Sequence, residues 1–517
     1  MATPVPSLEA GKIFEFLLGN NKAPSVVSPK DLTNRQHDPF VNIVLGQGHL
    51  PLTLRELLKI VDASTGPGSL PDQRSYLVAD GGQIPWSVAT ENIDRAMRFI
   101  VTRGVRGQPP ALLVSTSSDF DSTDTFLQVI GWDSSNGAFQ FYERRNGSWV
   151  WAGNSWDALI APTRGNGPFD SHVNGALNMK ELKFPWINWH SQAATIDGAV
   201  APTDPLRNEP LWQRRRGGED FEMLVARPGI KQWTDARIAK HTLNGRLTRL
   251  PEFFRQVLDT STINLRTSAI AMSNVAAGVS IPLPLTFFLN SDELIDELRL
   301  DSGLKTLPSV DGGIYLDILK QFGVALSDGT MRFEGDTHFV FLYPEAAFED
   351  VLIVNKLRSL GILSGKLAAS LLMVDFCNPV FSNRRKVLLA YVPADASVGA
   401  ASDFATQFVA AIQAASESKE AGSPESEFLA NWATTDATWK TVFSQRISTF
   451  LAAILPKLSN KTDFARVFEL AESRRREFRK RPLFEFQLTT PVTNIPSNAP
   501  LLEFTPGGAI QEKKAHP

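Results

Sequence analysis

Cysteine is nearly absent from this chain. Cys377 is the only one among 517 residues, so no intrachain disulfide can form, and a secreted protein of this size would usually carry some. Neither sign of charge predominates: 52 Lys and Arg stand against 55 Asp and Glu, a formal net charge of -3. Such a balance creates no overall field towards nucleic acid or an anionic membrane, and neither is expected as a partner. Long apolar runs are missing too. The longest charge-free stretch, between Arg266 and Asp292, is broken by Ser268, Ser273, Asn274, Pro282 and Pro284. It reads as a buried, partly extended segment and not as a membrane span. Met1 to Pro6 shows no basic region followed by an apolar one, so no signal peptide is expected and the chain is read as soluble and cytoplasmic.

The signatures of several enzyme classes are also missing. There is no glycine-rich loop ending in a phosphate-binding Lys. Gly46-Gln47-Gly48 runs into Pro51 where a dinucleotide fingerprint needs its third glycine. No His-Glu-x-x-His, nucleophile elbow or kinase set occurs. A single Cys excludes zinc ribbons, and no nucleophile–base pair stands out for a hydrolase.

What is present is ordinary globular material, 43% hydrophobic and 21% charged, long enough for two or three domains. The fold class expected is α+β and multidomain, with an antiparallel β-meander near the N-terminus and a mainly helical C-terminal part. Residues 1–165 read as a mixed α+β domain. Thr53-Leu54-Arg55-Glu56 is a capping box opening a helix through Leu57, Leu58 and Val61. A second helix is predicted from Thr90, with Ile93, Met97 and Ile100 on one face and Gly104 as its stop. Phe126–Trp132, Ala138–Tyr142 and Ser148–Ala152 then read as strands, separated by Asn136-Gly137 and Asn146-Gly147 turns.

Residues 166–400 form a central α/β-type region rich in Trp, Pro and His, with a helix predicted over 345–360 and stopped by Gly361. Residues 401–485 are predicted to be helical. Ser423 would cap one helix with Pro424 in its first turn, and others follow over 439–455 and 463–479. Residues 486–517 are read as an extended tail, disordered from Gln511 on.

Seven histidines occur, and two sit in the most unusual segment, where Asp170-Ser171-His172 is followed by Trp186-Ile187-Asn188-Trp189-His190. A second Asp-x-His occurs at Asp336-Thr337-His338. In an extended segment the side-chain period of two puts both groups of Asp-x-His on one face. A further His completes a two-His-one-carboxylate triad with coordination positions open for dioxygen and substrate. His172, His190 and His338 are candidate metal ligands or acid–base groups, and Asp336 and the catalytic candidate Asp170 are each a ligand or an orienter of one. Alternatively one of these histidines is the proximal ligand of a haem, with Trp186 and Trp189 lining its pocket. Against this stands the plain reading of an ion pair or turn contact, with the tryptophans packed in a core or an interface.

Arg384-Arg385 follows the apolar Leu371–Phe376 and Asn378-Pro379. Such a pair could anchor the carboxylate of a small substrate (Arg384) or a cofactor propionate (Arg385), or form a salt bridge to Asp375 or Glu345. The run Arg474-Arg475-Arg476, with Glu472 four residues before Arg476, is read as a solvated helix face. Together these residues suggest an iron-dependent oxidoreductase or oxygenase, haem or non-haem, acting on a small molecule, an acidic one where Arg384 anchors it. The alternative is a non-catalytic multidomain scaffold with a Trp-rich protein interface. Either leaves room for a homo-oligomer.

Overall fold

A computed structural model describes residues 8–514 of the protein, apart from 80, 83, 89, 94, 178–187, 193, 261, 328–331, 337–338 and 480–490. The chain divides into two compact units, Met1–Arg237 and Ile238–Pro517. Among the described residues no helix is long and apolar enough to cross a membrane.

The first unit is built on a nine-stranded sheet in the order β2-β1-β8-β7-β6-β5-β4-β3-β9. Its strands are β1 (Ile13–Glu15), β2 (Ser25–Val26), β3 (Asp72–Ala79), β4 (Met97–Gly104), β5 (Leu112–Ser117), β6 (Leu127–Asp133), β7 (Ala138–Arg145), β8 (Ser148–Asn154) and β9 (Arg215–Arg216). The sheet is mixed. β1 runs parallel to β8 and β9 parallel to β3, while β3 to β8 pair antiparallel in chain order. The antiparallel meander expected from the sequence thus accounts for only part of a larger mixed sheet. Asn146 (φ 48°) and Gly147 (φ 73°) make the two-residue link between β7 and β8, the left-handed pair that matches strand twist in a tight hairpin.

The helix predicted from Thr90 to Gly104 is not formed over its second half, where Met97–Gly104 is β4, paired along its length with β3. Met97 and Ile100 do share a helical spacing. Phe99 and Val101 are fully buried as well, and a run apolar on both faces, rich in β-branched and aromatic residues, is what a central strand requires. Three short helices lie against the sheet: α1 (Pro29–Arg35), α2 (Pro39–Ile43) and α3 (Leu54–Ala63). Leu32, Phe40, Leu57 and Val61 carry their apolar faces into one core with Val101, Val114, Val129 and Trp149. The unit closes with α4 (Pro210–Gln213), α5 (Gly218–Phe221) and α6 (Arg227–His241), within which the boundary falls.

The second unit is mainly helical around one large apolar core. Its helices are α7 (Leu250–Leu258), α8 (Gly312–Gln321), α9 (Phe348–Ser359), α10 (Gly365–Leu372), α11 (Asn383–Val387), α12 (Phe404–Ser416), α13 (Pro424–Trp432), α14 (Trp439–Leu458) and α15 (Lys461–Arg479). Local signals held where they were strongest. Ser423 Oγ accepts the Ser426 amide with Pro424 in the first turn, and Gly361 beyond α9 is left-handed at φ 71°. Two expectations fail. Gln511 and Glu512 belong to a strand, Ile510–Glu512, paired with Leu502–Phe504. Arg474, Arg475, Arg476 and Glu472 are not on a solvated face but buried, because α15 is packed on several sides and each arginine is taken up by carbonyls of another segment. Arg474 donates to Phe287 O, Arg475 to Leu342 O, and Arg476 to Ala499 O and to Glu472.

Candidate functional site

The sequence-selected residues fall in both units. In the first, Gly167–Asp170 is a 3-10 turn and Ser171 continues in the right-handed region (φ -100°), so the period-two argument for Asp170 and His172 does not apply. Asp170 is exposed and accepts the Ser171 hydroxyl at 2.8 Å. His172 is buried, 9% exposed, with its ring 5.2 Å from that of Phe141. Its Nδ1 lies 2.8 Å from the Ala176 carbonyl oxygen. A carbonyl only accepts, so Nδ1 carries the proton and is spoken for.

Trp189 is 1% exposed and packs on Phe221 at 4.6 Å, bridged to Val78 on the edge of β3. That bridge fixes His190, whose amide donates to Leu77 O at 2.9 Å and whose carbonyl accepts from Gly218 at 2.8 Å. His190 Nδ1 faces Asp197 Oδ1 at 3.8 Å, too far for a hydrogen bond, and the same carboxylate oxygen is held by Arg215. Burial first, then the Arg215 charge, lowers the His190 pKa to about 4, so the ring is neutral at neutral pH.

Trp186 and His338 lie outside the described residues. In the second unit Asp336 is 2% exposed and accepts the Tyr315 hydroxyl, which itself accepts the Phe341 amide. Arg384 pairs with Glu427 at 2.9 Å. Arg385 is fully buried, donating to Pro379 O at 2.8 Å; burial lowers its pKa, with Asp375 among the charges opposing that. Both arginines are thus engaged by the protein. Among the described residues no group of three or more His, Cys, Asp or Glu side chains converges as a metal site would require.

A concavity lies elsewhere, in a place the sequence did not single out. Between α2 and α3 the first unit opens a groove of about 940 Å³, in the size range of small-molecule sites. Its wall on one side is α2, whose N-terminus is capped by Asp38 Oδ1 accepting the Phe40 and Val41 amides. Asp38 Oδ2 accepts the Tyr142 hydroxyl of β7 at 2.6 Å. Gly131 on β6 makes room for that carboxylate, since a Cβ there would sit 2.3 Å from Asp38 Oδ1. The other wall is α3, started by Thr53 Oγ1 accepting the Glu56 amide at 3.2 Å. The linking segment is pinned beneath by Trp149, whose ring N–H donates to Pro51 O at 3.0 Å.

The groove is apolar below and polar at its rim. Ile43, Leu50 and Ile60 are only partly buried against the core and line it, with Pro39 and Pro51. Asn42, Gln47, His49, Glu56 and Lys59 ring it. Several of these polar groups are already used: Asn42 donates to His37 O, Gln47 to Asn42 O, and Glu56 accepts the Leu52 amide at 2.7 Å. The other charges of α3 are taken as well, Arg55 by Asp121 and Glu209 and Asp62 by Arg103. Lys59 is exposed and forms no ion pair among the described residues. The signal available in the sequence was slight. The capping box opens a helix read through Leu57, Leu58 and Val61, of which the structure buries Leu57 and Val61 together with Leu54; Ile60 is left apolar beside that face with Lys59 next to it.

No known protein family, curated protein or solved structure matches this chain.

Proposed function

We propose that the first unit is a small-molecule-binding module whose site is the groove between α2 and α3. The observation that carries this reading is a concavity of about 940 Å³ floored by partly exposed Ile43, Leu50 and Ile60. Water held over such a floor is released when an apolar ligand covers it. The walls are set before any ligand arrives: α2 by Asp38 and Tyr142, α3 by its cap and its buried face. A preformed site loses less conformational entropy on binding. A neutral dye tests the reading without involving charge. Nile red is expected to bind the full chain saturably with enhanced fluorescence, and Ile60→Asp, at a partly exposed position, to abolish this while the circular dichroism is unchanged. Dye binding that survives both Ile60→Asp and Ile43→Asp counts against it.

A second reading keeps the chemistry the sequence suggested, an iron-dependent oxidoreductase, with His190 from that reading and Asp197, which the sequence did not single out, as ligands. What favours it is the neutral His190 ring, whose Nδ1 sits 3.8 Å from Asp197, since a metal ligand must be unprotonated. Arg215 on the same carboxylate opposes a cation there. Iron content of the purified protein and its visible spectrum, compared with those of His190→Ala, decide the matter.

A further inference from the structure

Resting on the groove reading, we propose that the ligand is an amphiphile with an anionic head. Its apolar body would lie on Ile43, Leu50 and Ile60, with its carboxylate at the Lys59 ammonium.

Three observations converge on that class. The exposed lining is mainly apolar, at Ile43, Leu50 and Ile60, so a molecule polar throughout would lose hydration over those side chains without compensation. The rim offers one cation free of ion pairing among the described residues, Lys59, on the same helix as Ile60, while Arg55 and Asp62 on that helix are paired. The acid on the rim, Glu56, is turned to the start of its own helix, where it accepts the Leu52 amide and is favoured by the positive end of the helix dipole. A carboxylate at Lys59 would gain a charge-assisted contact that no protein group now supplies. His49 is exposed on the same rim.

The test is isothermal titration of the full chain with three compounds of one chain length: sodium decanoate, decylammonium chloride and 1-decanol. Decanoate is expected to bind most tightly. Lys59→Ala should weaken decanoate by about two- to fivefold, the scale of an exposed ion pair, and leave 1-decanol unchanged. Lys59→Glu should turn the preference towards decylammonium. Lys59 is exposed, so these variants are expected to fold, and Lys59→Gln serves as a second neutral variant. Equal affinity for the three compounds, or a wild-type preference for decylammonium, overturns the anionic head and leaves the groove standing. Failure of all three compounds together with failure of Nile red overturns the groove itself.

Discussion

At the scale of single residues, the most informative group is Asp38. It is fully buried, and burial raises its pKa from 3.8 to about 6 against the hydrogen bonds from Tyr142, Val41 and Phe40, with Asp133 adding to the rise. A folded-state pKa above the unfolded one means that the native state binds the proton more tightly. The stabilisation from this group is therefore fully present below about pH 4 and is lost as pH rises through about 6. A shift of two units corresponds to about 3 kcal/mol. Asp38→Asn keeps an acceptor for the α2 amides but cannot titrate. Relative to that variant, the wild type should gain stability as pH falls from 7 to 4, by an amount approaching that figure in urea unfolding. A difference that is flat with pH would mean that Asp38 titrates normally. This carboxyl was invisible in the sequence as a site, because its state depends on Tyr142 and on the space left by Gly131, about a hundred residues further on.

At the scale of elements, what was legible is what is local. Thr53, the Ser423-Pro424 pair and Gly361 announce helix ends because caps and left-handed stops act within a turn of the chain. The Asn146-Gly147 turn is legible for the same reason. β4 was misread because its identity as a strand comes from β3 and β5 on either side, not from its own spacing. α15 was misread in the opposite sense. Its arginines look like a solvated face until the segments that supply Phe287 O, Leu342 O and Ala499 O fold around them. Burying a guanidinium is tolerated only with partners, so the pair Arg476–Glu472, at 2.6 Å with both side chains nearly inaccessible, should respond sharply to loss of one member. Arg476→Ala, which strands the Glu472 carboxylate, is expected to lower stability by about 3 kcal/mol or more in denaturant unfolding. A cost under about 1 kcal/mol, typical of exposed pairs, would show that the pair is solvated.

At the scale of the whole molecule, the chain is two compact units with different constructions, a sheet-based first unit and a helical second one. The sequence suggested chemistry built on histidines and arginines from both regions. The structure ties many of those groups to protein partners: His172 to Ala176, Asp336 to Tyr315, Arg384 to Glu427, Arg385 to backbone carbonyls. The groove was not legible because it belongs to no motif. It arises where two short helices, each with an ordinary sequence, are held apart by a linking segment anchored through Trp149. We propose the groove as the binding site of a small amphipathic molecule. The most direct test is a methyl-detected NMR titration of the isoleucine-labelled full chain with sodium decanoate. The Ile43 and Ile60 methyl signals are expected to shift saturably while those of Ile353 and Ile447, buried in the second unit, stay in place. Unmoved Ile43 and Ile60 signals at saturating ligand, or shifts confined to the second unit, would contradict it.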